Sequence, residues 1–585
     1  MPTELPQTAA KEVKETKAQR SERLKLAKNP WDAWDEVRQF AREGRDAVLP
    51  EWTGLYFKWW GVYTQGDGVG ATGGVGGEGK ATEFFMMRIG LPNGLLTSHQ
   101  LRVIADLTQK YARNLADITT RQNIQLHWLT IGALVEITDR LTEIGLSPKG
   151  ACGDVVRNVT GCPLAGLDHH ELVDSSPLAI EIAQHLTANP EFYNLPRKFK
   201  ISVTGCPLWC SYPEINDVAL TAIRRETPAG EEIGYTLRVG GGLSTEPHMA
   251  VRIPAFIRQE QALEVVTAVV RIFKEQTALR ENRTRARIKY LFMRHGWTAE
   301  SMLEAIEAKL GYKLESSPVA EENIPADIYR DHIGVTPQRV SSGEPGLSAV
   351  GASVLRGRLS GDQLHALADL AEKHGNGHLR ATIMQNIVLV NIRNENVRAL
   401  VADLNAIDLQ VEVSPFWRGA IACTGTEFCK LAIAETKAFS KWLVSEMEER
   451  LPGFDQQIKL HVTGCTNSCG QHWIADIGLE GKKLKKDGQI VDAFYFCVGG
   501  SIGKYAGAAR ALGFRAAADD CPDAIERLLR GYLFARESGE DLRSYFARTS
   551  DDDLRAQLSG QPNGTAIPPV ERDAPPARGH HAVDA

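Results

Sequence analysis

No apolar run in the 585-residue sequence approaches the roughly 20 residues of a membrane-spanning helix, so the chain offers no transmembrane segment. It has no basic excess either. Lys and Arg number 67 against 73 Asp and Glu, a net charge of −6, which gives no footing for nucleic acid as a partner. The first 28 residues lack the apolar core of a signal peptide, since Lys11, Lys14, Lys17, Arg20 and Arg23 interleave with Glu4, Glu12, Glu15 and Glu22. The expected compartment is therefore the cytoplasm, where thiols stay reduced. Ten cysteines are too few for a disulfide scaffold at this length, yet they are unevenly placed. What is present is ordinary globular composition, 43% hydrophobic and 24% charged, over a length that implies several domains or half-domains.

The chain repeats itself. Gln100-Leu101 through Gln122-Asn123-Ile124-Gln125-Leu126 matches Gln363-Leu364 through Gln385-Asn386-Ile387-Val388-Leu389 at a constant offset of 263. Leu101, Ile104, Ala105 and Leu107 make a helical stripe, and Ile118, Ile124 and Leu126 alternate as in a strand. Lys200 through Cys206 matches Lys459 through Cys465, and Asp217 and Val239-Gly240-Gly241 match Asp476 and Val498-Gly499-Gly500, all at an offset of 259. The expectation is a duplicated unit with pseudo-twofold symmetry about a central cleft, a common seat for a cofactor. Residues 1–50 read as a polar extension pinned to the body by Trp31 and Trp34. Gly68-Val69-Gly70-Ala71-Thr72-Gly73 spells G-x-G-x-x-G, but no strand precedes it, and it reads as a loop. The proline-bearing end, 561–585, reads as a disordered tail.

The second copy carries Cys423-x5-Cys429 and Cys465-x3-Cys469, each pair beside glycine and small residues. Four thiolates from two loops suit a metal centre. Zinc ribbons favour shorter gaps within a pair, whereas iron–sulfur clusters accept varied spacing. In the first copy Cys162, Cys206 and Cys210 match Cys423, Cys465 and Cys469, while Asp168 falls near the place of Cys429. This partial echo reads as a degenerate site, with a second cluster as the alternative. Cys497 and Cys521 read as ordinary buried thiols.

The first copy concentrates cations instead: Arg88, Arg121, Arg157 and the run Arg197-Lys198-Phe199-Lys200. Lys198 and Lys200 fall on one face of an extended segment. Arg121 is replaced by Met384 in the second copy. Convergent Arg and Lys suit a polyanionic cofactor and a small oxyanion.

The two cysteine pairs, Thr119-Thr120-Arg121-Gln122-Asn123 and Leu195-Pro196-Arg197-Lys198-Phe199-Lys200 together resemble the siroheme-dependent nitrite and sulfite reductases, most nearly the ferredoxin-dependent single-chain branch. The resemblance spans roughly residues 51–545. It implies an α+β fold with two ferredoxin-like half-domains, 51–150 and 341–412, and two siroheme- or cluster-binding subdomains, 151–340 and 413–560. It implies a [4Fe–4S] cluster on Cys423, Cys429, Cys465 and Cys469, with Cys469 also the axial link to siroheme. Arg121, Gln125 and Arg197 would bind the siroheme, and Arg88, Arg157, Lys198 and Lys200 the substrate anion. The implied reaction is the six-electron reduction of sulfite to sulfide, with nitrite to ammonia as the alternative and a non-catalytic iron–sulfur protein as a second. Lys-x-Lys at 198–200 favours sulfite, while Pro213-Glu214-Ile215-Asn216-Asp217 resembles nitrite-type members. Tyr63 and Cys152 stand where some sulfite-type relatives carry a Tyr–Cys thioether. The chain has no nicotinamide or flavin motif, so ferredoxin or a similar donor is expected, with Lys482, Lys483, Lys485 and Lys486 as a candidate docking turn.

Overall fold

The computed structural model describes residues 15–65, 84–228, 230–317, 330–340 and 345–561. The glycine-rich stretch at 66–79 and the tail from 562 onward lie outside the described residues. No described helix is long and apolar enough to cross a membrane.

Four groups of strands follow in chain order. The first comprises β1 (Val62–Gln65), β2 (Phe84–Ile89), β3 (Leu95–Thr97), β4 (Leu115–Ile118) and β5 (Ile124–Leu129). The second comprises β6 (Thr160–Gly161), β7 (Ile201–Thr204), β8 (Val218–Thr227), β9 (Gly230–Val239), β10 (Val251–Arg258) and β11 (Glu315–Ser316). The third comprises β12 (Gly334–Pro337), β13 (Leu347–Ala352), β14 (Arg358–Ser360), β15 (His378–Ala381) and β16 (Ile387–Arg393). The fourth comprises β17 (Ala420–Ala422), β18 (Leu460–Thr463), β19 (Ile477–Lys486), β20 (Gln489–Val498) and β21 (Arg510–Ala517).

The duplication is visible element by element. Helices Ser98–Tyr111 and Gly361–His374 begin with the same capping box, Thr97 with Gln100 and Ser360 with Gln363. The second and fourth sheets run β11-β10-β9-β8-β7-β6 and β17-β18-β19-β20-β21. In each, two short strands pair in parallel, β6 with β7 and β17 with β18, and their C-terminal ends carry the cysteine loops.

The ferredoxin-like sheets are interlocked rather than separate. Their orders are β1-β2-β5-β4-β14 and β12-β13-β16-β15-β3, so each copy lends an edge strand to the other. The exchange also covers two sheet edges that would otherwise be open. The matched glutamines reinforce it. Gln122 donates to the Ala381 carbonyl at 2.9 Å and Gln385 to the Ile118 carbonyl at 3.0 Å. Each also accepts from an amide just before a cysteine loop, Gly161 N at 3.0 Å and Ala422 N at 3.1 Å. Both glutamines hold a left-handed backbone, φ 57° and 63°. One continuous apolar core therefore runs through both half-domains, from Trp52 and Ile104 to Leu367 and Leu404.

The N-terminal segment is tied down as its tryptophans imply. Trp31 Nε1 donates to the Trp59 carbonyl at 2.9 Å, and Trp34 stacks on Trp60 with ring centroids 4.0 Å apart. Lys25, buried, forms an ion pair with buried Asp154 at 3.1 Å.

Candidate functional site

The cation cluster is built on four segments that converge in one cleft. Arg88 lies on β2, and its Nε donates to Gln125 Oε1 of β5 at 3.0 Å. Its Nη1 reaches Cys152 Sγ at 3.4 Å. Burial opposes the Arg88 charge, but Cys152, Tyr63 and the thiols Cys469 and Cys429 hold its pKa above the ordinary value. Arg121 occupies the turn between β4 and β5, donating to Asn216 Oδ1 at 2.6 Å and the Asn158 carbonyl at 2.6 Å. Burial lowers its pKa to about 9, and repulsion from Arg157, Arg287 and Arg88 adds to the drop. Arg157 folds back on its own loop, with Nη2 donating to the Gly153 carbonyl at 2.6 Å.

The Lys198–Lys200 segment lies against the Arg157 segment, whose amide donates to the Phe199 carbonyl at 2.8 Å. Phe199 is fully buried and packs on Phe273 with centroids 5.3 Å apart, so its neighbours Lys198 and Lys200 are turned the other way. Burial pulls Lys198 down to about 7, although the Cys469 charge opposes that shift. Burial and the adjacent Lys198 pull Lys200 well below an ordinary lysine. The Lys200 amide donates to Asp217 Oδ2 at 2.8 Å, which fixes the end of the segment. Arg197 stands apart from this inner group, half-buried and paired with Asp154 at 3.3 Å.

Sequence reasoning missed Arg287, and gave Asn216 only as part of a segment resembling nitrite-type members. Arg287 makes a two-pronged pair with Asp217, at 2.8 and 2.7 Å, and adds its charge beside Arg121, Lys198 and Lys200. The run Arg283-Thr284-Arg285-Ala286-Arg287 was the available signal.

Cys423 and Cys429 follow β17, and Cys465 and Cys469 follow β18. Gly464 N donates to Cys423 Sγ at 3.1 Å and Asn467 Nδ2 to Cys465 Sγ at 3.4 Å. A Cβ on Gly464 would meet the Ala434 carbonyl oxygen at 2.9 Å, so the loop's close approach depends on glycine. Burial and the neighbouring Cys469 push Cys429 up to about 12 and Cys465 up to about 11, as expected of thiols gathered without a metal to take their charge. Cys469 is the exposed member. It faces the cation cleft: Thr120 Oγ1, in the Arg121 turn, donates to the Cys469 carbonyl at 3.3 Å.

These residues fit the two implied groups. The tetrad offers four thiolates on amide-rich loops, with sulfurs more widely set than on one ion, since no three of them lie within 4.8 Å of one another. The cleft beside them offers clustered cations and buried polar atoms without a protein partner, Arg121 Nε, Asn123 Oδ1 and Ser468 Oγ.

Tyr63 and Cys152 are brought together beside Arg88. Burial and the Cys152 thiol push Tyr63 up to about 12, and Cys152 is a free thiol. The basic turn is the β19–β20 hairpin, and its charge is largely spent. Lys482 pairs with Glu480 at 2.7 Å, Lys486 with Asp520 at 2.8 Å, and Lys483 with Asp492. Cys497 and Cys521 are buried in the second subdomain, as expected.

Comparison with known proteins agrees with this geometry. The nitrite and sulphite reductase 4Fe-4S domain matches residues 152–314 and 415–560, and the nitrite/sulfite reductase ferredoxin-like half domain matches 77–144 and 341–407. The chain is 36% identical over 550 residues to an assimilatory ferredoxin-dependent nitrite reductase of Haloferax mediterranei, covering 88% of this chain and 89% of the relative. It is also 36% identical over 547 residues to a Mycobacterium tuberculosis sulfite reductase [ferredoxin], covering 92% and 96%. The solved structure of the Mycobacterium tuberculosis NirA protein superposes with a TM-score of 0.86 at 35% identity, covering 92% of this chain and 97% of that one. Two domain types, each matched twice along the duplicated chain, and relatives similar along nearly its whole length lead to one conclusion: the chain belongs to the nitrite and sulphite reductase family, oxidoreductases that work with siroheme and a [4Fe–4S] cluster.

Proposed function

We propose that the chain reduces sulfite to sulfide with electrons from a ferredoxin. Cys423, Cys429, Cys465 and Cys469 would hold the cluster, with Cys469 also turned to the siroheme iron. Arg121, Gln125 and, from the rim, Arg197 would meet siroheme and its carboxylates. Arg88, Arg157, Lys198 and Lys200 would grip the oxyanion. When bound, the coupled siroheme and cluster supply the electrons and the binding iron.

The observation that carries the sulfite reading is the pair Lys198 and Lys200, turned to one side of buried Phe199 and crowded by Arg287. Two lysine amines side by side, whose protonated forms a bound dianion favours, offset its charge and stabilise further negative charge as it develops. With its pKa drawn to about 7, Lys198 holds a transferable proton at Nζ near neutral pH, which suits a reaction that consumes protons with its electrons. Arg287 and Asp217 position the segment; they do not reach the anion in this reading.

Nitrite is the second reading, supported by the Haloferax relative and by Asn216 placed on Arg121. The deciding measurement is kcat/KM for sulfite and for nitrite with reduced ferredoxin. A ratio favouring sulfite is expected, and a ratio favouring nitrite overturns the substrate assignment.

A further inference from the structure

The first-half cysteines do not look like scattered remnants. Cys162, Cys206 and Cys210 bring their sulfurs within 4.8 Å of one another, and each residue is at most 3% exposed. They sit at the ends of the paired parallel strands β6 and β7, as the cluster cysteines sit at the ends of β17 and β18. The Leu164 amide donates to Cys162 Sγ at 3.4 Å.

The separation selects the guest. A cubane cluster stands between its ligands and holds thiolates far apart, whereas one tetrahedral ion with bonds of about 2.3 Å brings them to about 3.8 Å. The triad is thus too tight for a cluster and sized for one ion. One buried imidazole lies in the same neighbourhood, outside that tight group of sulfurs. His332 is buried, and neither of its ring nitrogens has a hydrogen-bond partner. Its backbone is held left-handed, φ 61°, and a Cβ on neighbouring Gly351 would strike the His332 carbonyl oxygen at 1.6 Å. The charge of Cys206 acts on His332, and the charges of all three thiols act on Arg330, which pairs with buried Asp168 at 2.5 Å.

We propose that Cys162, Cys206 and Cys210 bind a single Zn2+ through their three thiolates. Binding forms three Zn–S bonds and releases three thiol protons to solvent, with no change of oxidation state. The resulting centre carries one net negative charge, which Arg330 offsets. It fastens the two first-half loops to each other where Cys162 and Cys210 pack on Ala349, Val388 and Val390 of the second ferredoxin-like sheet. Its role is structural, because the three thiolates are buried and keep the ion away from any substrate.

The test uses full-length holoenzyme purified anaerobically and exposed to excess Zn2+, then desalted. The expected result is about one zinc per chain, and a zinc K-edge absorption spectrum showing three sulfur neighbours at about 2.3 Å. Cys206→Ser and Cys210→Ser should lower zinc occupancy roughly tenfold or more while iron content and the visible spectrum stay as in the parent. If either variant misfolds, the parent's K-edge spectrum decides alone. The proposal is overturned by zinc content near zero, by a zinc shell with fewer than two sulfurs, by copper or extra iron at the triad, or by a disulfide among the three cysteines.

Discussion

The two Gly-Cys-x3-Cys loops, Gly205–Cys210 and Gly464–Cys469, share a skeleton and differ in what surrounds them. In both, a carboxylate just before the following strand accepts from the backbone just before the parallel strand, Asp217 from Lys200 N at 2.8 Å and Asp476 from Lys459 N at 2.7 Å. Both carboxylates are met by arginine, Arg287 and Arg543. The second-half loop opens on the cation cleft of the first half through Thr120 and Cys469. Its first-half counterpart meets the place where that cleft would recur, and there Met384 stands in for Arg121. It is buried in an apolar cluster with Trp209, Tyr212, Ile421 and Ile474. Lys459, the match of Lys200, is buried against the Tyr212 ring at 5.6 Å. Duplication therefore left two loop frameworks but one polar cleft. An apolar plug cannot receive a polycarboxylate, since buried charge needs partners.

The sharpest way to break this asymmetry is to strike the two loops in turn. Cys469→Ser should reduce anion turnover to background and change the visible spectrum, whereas Cys206→Ser should retain both. Equal loss of activity and cluster iron in the two variants would contradict the division of roles. Next in size, Lys198→Gln should lower kcat about 10²–10³-fold, the usual cost of removing one group aimed at developing charge. Its counterpart Gln457 is exposed, so Gln457→Lys should leave turnover within about twofold.

The pH dependence separates the halves further. The Lys198 charge is lost as pH rises through about 7, so kcat/KM should fall above that point, and Lys198→Gln should flatten that limb. The sign for stability is opposite. The folded chain releases this proton at a lower pH than the unfolded chain, so the lysine's contribution grows more favourable from about 7 toward its ordinary value of 10.5. Denaturant midpoints measured across that interval for the parent and Lys198→Met check it. The smallest effect is expected at the β19–β20 hairpin. Because Lys482, Lys483 and Lys486 are already paired with acids, replacing these and Lys485 by Gln should shift the KM for ferredoxin by no more than about twofold at low salt.

Much of the site was legible in the residues. The repeat offset, the paired cysteine spacings and the Lys-x-Lys alternation depend on local periodicity, which sequence carries directly. Arg287 was legible only as one member of a basic run, because its partner Asp217 lies 70 positions away and only the fold brings them together. At the basic turn, too, the sequence shows the lysines flanking Leu484, while the fold adds the acids Glu480, Asp492 and Asp520, from the same hairpin and the start of the next helix, that pair with three of them.

The sequence by itself determined the family, the duplication and the division into a thiolate half and a cationic half, since these are matters of residue identity and spacing. The tertiary structure alone decided that the ferredoxin-like half-domains exchange β3 and β14, that Gln122 and Gln385 stitch them reciprocally, and that the three first-half cysteines close into one compact group. Those outcomes rest on contacts between segments far apart in the chain. Distance along the chain does not specify which distant edge a strand will pair with or how near two loops will come, whereas burial and hydrogen-bond satisfaction in the packed molecule do.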